Sequence, residues 1–130
     1  MNISVIQNII QQSLQGTLSF PEVVMKLSAL DVESYHVDLI RSENRYYLAN
    51  GKTHVESVSH EHMTAEKQFS GHLVAEAIRT IQANKINYQE FLNRIMAAGT
   101  VYYIAYLSGK KVIYFGRDGD FHVEHFPQAQ

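Results

Sequence analysis

The sequence writes one register twice. Residues 69–126, displaced back by 68 positions, fall without gaps on residues 1–58. The identical pairs between 20–58 and 88–126 are Glu22/Glu90, Ala29/Ala97, Tyr35/Tyr103, Leu39/Leu107, Tyr46/Tyr114, Gly51/Gly119, His54/His122, Val55/Val123 and Glu56/Glu124. Phe20/Tyr88, Lys26/Arg94, Leu27/Ile95, Tyr47/Phe115 and Asn50/Asp118 are chemically alike. Any two helix–strand stretches share some hydrophobic rhythm. Rhythm alone does not set Gly51 on Gly119, nor the triplet His-Val-Glu on itself. Two copies of one structural unit are therefore expected. At 130 residues the chain has the size of one domain. The expected organisation is a single domain, 1–130, with repeat one at 1–58, a polar connection at 57–68 and repeat two at 69–126.

Each copy reads helix, helix, strand, strand, strand. Ile3, Ile6, Ile9, Ile10 and Leu14 recur at helical spacing, as do Leu73, Val74, Ala77, Ile78 and Ile81. Ser19 stands three residues before Glu22, and Asn87 three before Glu90. That is the capping-box spacing, which satisfies free amides at a helix start. Gly99 is the expected stop of the last helix, where the first copy has Asp31. Strands rich in aromatic and β-branched residues follow at Tyr35–Ile40 and Thr100–Leu107, then at Arg45–Ala49 and Lys111–Gly116. Asn50-Gly51 and Asp118-Gly119 predict two-residue type I′ turns into Lys52–Val58 and Asp120–Phe126. The fold class is α+β: two ααβββ repeats related by a pseudo-twofold, with an antiparallel sheet of up to six strands and four helices mainly on one face.

The copies differ in polarity. Val101–Leu107 is apolar on both faces, whereas its counterpart carries His36 and Asp38 on one. An antiparallel sheet that meets water is polar on that face. Tyr102, Ile104 and Tyr106 are thus expected to be covered by another part of the chain or by a second subunit.

Other residue sets suggest chemistry. Residues two apart on a strand share a face, so His54 with Glu56, and His122 with Glu124, form two equal pairs, with Val55 and Val123 expected to point into the core. Converged on one point, they would suit zinc or another first-row metal, and a hydrolytic role with it. The competing reading is cross-strand pairing on a wet strand at a sheet edge. The apolar first strands favour it, since they suit the sheet centre and leave the third strands for opposite edges. His60-Glu61-His62 lacks the spacing of a zinc-protease helix and reads as a solvated connection. Asp118-Gly-Asp120 with Glu124 reads as a turn rather than a calcium loop.

Composition excludes several classes. Without cysteine there is no disulfide, thiolate nucleophile or cysteine-ligated zinc. The net charge of −2 offers no basic excess for nucleic acid, and Lys110-Lys111 is the one adjacent basic pair. No apolar run approaches the ~20 residues of a membrane helix, and MNISVIQNIIQQ does not read as a signal peptide, so a cytoplasmic location is expected. There is no phosphate-binding glycine loop, dinucleotide fingerprint or nucleophile elbow. No cofactor is expected.

The segments FPEVVMKLSALDVESYHVDL, YYLANG, INYQEFLNRIMAAGTVYYIAYL and IYFGRDG together resemble a small bacterial and prophage family of unknown function. These are the YbcV-like proteins, some of them labelled "phage envelope protein". The resemblance spans nearly the whole chain. It implies a mobile-element origin and no activity, cofactor or site residue. The expectation is a non-enzymatic accessory or interaction module with a homodimeric or other protein partner. A His/Glu metal protein is the alternative, with nucleic-acid binding the least supported.

Overall fold

A computed structural model describes residues 2–58 and 64–127. The order is α1 (Ile3–Leu14), α2 (Phe20–Ala29), β1 (Val32–Asp38), β2 (Glu43–Leu48), β3 (Thr53–Ser57), α3 (Gly71–Gln82), α4 (Tyr88–Ala97), β4 (Thr100–Tyr106), β5 (Lys111–Gly116) and β6 (Phe121–His125). Every bound in the second half is that of the first displaced by 68. None of these helices is long and apolar enough to cross a membrane.

Local chemistry starts and stops the elements. Ser19 and Asn87 close capping boxes with Glu22 and Glu90 at the starts of α2 and α4. Both helices then give way to a residue at positive φ, Asp31 at 63° and Gly99 at 94°. The Asp38 carboxylate accepts the amides of Ile40 and Arg41, each at 3.0 Å, which turns the chain out of β1 before Ile40. The hairpin turns differ from the expected type I′. Only their glycines, Gly51 and Gly119, have positive φ, whereas type I′ needs two such residues in succession. Leu48 accepts from the Gly51 amide and donates to Lys52, so the loop holds three residues, with the glycine as its bulge.

The sheet is wholly antiparallel, in the order β3-β2-β1-β4-β5-β6. At its centre His36 lies opposite Ile104, residues that the same 68-position displacement relates. A twofold axis through that pair exchanges the strands. It carries Tyr35↔Tyr46 onto Tyr103↔Tyr114, and Tyr46↔His54 onto Tyr114↔His122. Even the irregularities correspond, between Val32/Ser34 and between Thr100/Tyr102.

One buried cluster runs through both halves beneath the helices. It joins Ile6, Leu27, Val74 and Ile95 to Tyr35, Tyr46, Tyr103 and Tyr114 on the facing side of the sheet. Leu27 and Ile95 are equivalent and almost fully buried, and each contributes about 2 kcal/mol by leaving water. The described end of the connection, residues 64–68, docks on the second half. Glu66 donates its amide to Met96 and Ser70 to Ala98, while Phe69 packs over Gly116.

Candidate functional site

Alternation along the strands leaves one sheet face free of the described helices. The strand register arranges its side chains in three rows that cross the sheet from β3 to β6. The first runs Ser57, Glu43, Asp38, Tyr102, Phe115, Phe121. The second runs Val55, Arg45, His36, Ile104, Ile113, Val123. The third runs Thr53, Tyr47, Ser34, Tyr106, Lys111, His125.

The boundary between β1 and β4 divides this face chemically. On β1–β3 the charges are mutually satisfied. Arg45 lies 2.7 Å and Arg41 3.3 Å from the same Glu43 oxygen. The Arg45 hydrogen bond holds the Glu43 carboxyl below the usual carboxylate range. Partial burial, seconded by Arg45, lowers the His36 pKa, so this imidazole stays neutral to lower pH than a free one. On β4–β6 the face is Tyr102, Ile104, Tyr106, Ile113, Phe115, Phe121 and Val123, bordered by Lys111 and His125. Tyr102 is 42% and Phe121 63% exposed, and the others between them are partly covered by one another. Tyr102 and Phe115 meet at 5.5 Å between ring centroids.

Tyr102, Ile104 and Tyr106 therefore occupy the face that their alternation predicts, one in each row. No other described segment covers them as a helix would. Sequence reasoning missed the rest of the field, Ile113, Phe115, Phe121 and Val123. The signal lay in the hairpins, whose tight turns align β5 and β6 with β4 two residues at a time.

The His/Glu pairs sit differently. His54 and Glu56 lie on β3, His122 and Glu124 on β6, at opposite edges of the sheet. Five strand spacings of about 4.8 Å part them by roughly 24 Å, so the two pairs do not converge. Their orientation also reverses the expected one. The pairing Tyr46↔His54 puts the imidazole on the helix side, beside a buried tyrosine, while Val55 points outward and is 53% exposed. Val123 likewise shares the outer face with Ile113. Helices reach both edges, with α3 packed against β6 and Gln7 of α1 donating to Glu56 at 2.9 Å, so these half-buried polar side chains are held by polar partners on the inner side. His54 lies 2.6 Å from Glu56 and His122 3.2 Å from Glu124. Each imidazole caps a core tyrosine at 6.5 Å between ring centroids, Tyr46 or Tyr114. Among the described residues no three metal-ligating side chains gather. His60-Glu61-His62 lies outside the described residues. Asp118-Gly-Asp120 is part of the β5–β6 turn.

A family model described as "Protein of unknown function (DUF1398)" matches residues 7–125. No curated protein matches the chain.

Proposed function

We propose, for a chain that belongs to the DUF1398 family of unknown function, that the apolar half of its outer sheet face docks a second copy of itself. The carrying observation is the continuous field from Tyr102 to Val123, with no described helix over it. Extended apolar patches of this kind mark contact surfaces, and aromatic side chains dominate the centres of such contacts. A single patch meets itself most simply across a twofold axis, sheet upon sheet. The self-neutralised charges on β1–β3 would then form the wet border. The role is that of a non-enzymatic accessory or interaction module. A prophage origin fits such a role and rests on the sequence resemblance alone. In the same reading the matched halves descend from one duplicated ααβββ unit.

The test is Ile104→Glu, which would set an unpaired carboxylate at the centre of the contact. Sedimentation equilibrium should show self-association weakened ~100-fold or more. Val55→Glu, in the same row but on the polar half, should leave association within about threefold of the parent. Equal association of parent and Ile104→Glu would remove the proposal.

A further inference from the structure

The two halves differ in bulk, and at one position in polarity, where their registers coincide. Ser13, Val23 and Asn44 stand where the second half has Ile81, Phe91 and Val112. Phe91 reaches Tyr114 edge-on at 6.3 Å and stacks near Tyr88 at 6.4 Å. Val23 is too short for an equivalent contact. The space so left is a cavity of about 660 Å³ between α1, α2, the start of α4 and the inner face of β1 and β2. That volume lies within the ~300–1,000 Å³ usual for small-molecule sites.

Its walls are chiefly Ile9, Leu18, Val23, Leu27, Ile86 and Leu92. Tyrosine hydroxyls, with Asn44 and Ser42, supply polar atoms at its inner wall. The Tyr88 and Tyr103 hydroxyls lie 2.6 Å apart, and Asn44 donates to the Tyr46 hydroxyl at 3.2 Å. Beside Asn44 the Ser42 hydroxyl is buried with no hydrogen-bond partner among the described residues. Ser42 also holds a φ of 54°, a conformation that non-glycine residues rarely adopt.

Charge narrows the ligand. Among the described residues no Lys, Arg or His lines the cavity. Of the acidic residues along it, Glu22 is engaged by Ser19, while Asp38 and Glu43 carry their carboxylates on the outer sheet face, held there by two backbone amides and by Arg45. An anion would lie unpaired in apolar surroundings, and a cation would have to break an existing contact. We propose that this cavity binds a neutral, mostly apolar small molecule that carries one hydroxyl or carbonyl group near Asn44 and Tyr46.

The probe is N-phenyl-1-naphthylamine, a neutral dye that brightens in apolar surroundings. Saturable brightening at one dye per chain is expected. Val23→Phe and Ser13→Ile, which give these positions their second-half residues, should each weaken it at least tenfold while the circular-dichroism melt persists. Tyr102→Glu should leave dye binding unchanged, which separates this cavity from the outer face. At pH 8, 1-octanol should displace the dye at lower concentration than octanoate. Asn44→Val should raise the octanol concentration needed about tenfold without loss of dye binding. Absence of saturable binding, or parent-like binding in a folded filled variant, would overturn the site. Displacement favouring octanoate, or octanol displacement indifferent to Asn44, would overturn the ligand class.

Discussion

Gly99→Ala should cost about 3 kcal/mol or more, a large share of the ~5–15 kcal/mol that holds a domain of this size together. Gly99 ends α4 at φ 94°, where a side chain is strained by ~1–2 kcal/mol. The connection crosses directly over it. An added methyl would meet the Gln68 carbonyl oxygen and lie 2.7 Å from the Phe69 Cα. Both are backbone atoms, so no rotamer change relieves the contact, and overpacking of this kind costs a further ~1–3 kcal/mol. The movement would also disturb the hydrogen bond that the Ser70 amide donates to the Ala98 carbonyl and the seat of Phe69 over Gly116. Gly51→Ala is the control. It has a similar φ of 88° but nothing within 4 Å of the new methyl, so it should lose only the conformational ~1–2 kcal/mol. Urea unfolding of the three proteins reads the difference directly. Equal losses for Gly51→Ala and Gly99→Ala would show that the connection does not dock as described.

Alkaline solution should unfold the protein between about pH 10 and 12, with its core tyrosines ionising in the same step. Burial raises the pKa of Tyr35, Tyr46, Tyr88, Tyr103 and Tyr114. Tyr88 is pushed up to about 12, although its hydrogen bond with Tyr103 works the other way. An unfolded tyrosine ionises near pH 10. Below that value both states keep the proton and the stability is whole. Above it the unfolded chain gives up protons that the folded chain retains, so stability falls as pH climbs through the folded pKa. For Tyr88 alone the two-unit difference is worth about 3 kcal/mol. Four further buried tyrosines act in the same direction, which makes the loss steep. Absorbance at 295 nm and far-ultraviolet circular dichroism should change together. Ionisation of all eight tyrosines near pH 10 with intact ellipticity would contradict the buried placement.

Much of this architecture is legible in the sequence because its determinants are local. Capping boxes need a side chain and an amide three residues apart, and Ser19 and Asn87 announce them. The repeated glycines and tyrosines fix the hairpins, and the apolar first strands point to the sheet centre. What failed depends on facts outside the local window. Val55 and Val123 look like core residues by hydropathy, but the register that faces them outward comes from the pairing of His54 with Tyr46 and of His122 with Tyr114. The type I′ assignment failed for a related reason. Asn-Gly favours such a turn, yet here the strand bonds close one residue earlier and leave Asn50 at ordinary φ. The cavity was written in the sequence as a comparison rather than a motif. A small or polar residue stands in one copy where its twin is large and apolar, as Val23 does against Phe91. The outer aromatic field was half legible, because Tyr102, Ile104 and Tyr106 declare β4 while β5 and β6 add to it only once the strands are aligned.

The claim on which the functional account turns is self-association through that field. Native mass spectrometry of the unmodified protein over a range of concentrations tests it most directly. The account predicts a species of twice the 14.8 kDa chain mass that grows with concentration and disappears in Ile104→Glu. A 14.8 kDa monomer persisting at the highest concentration would contradict it.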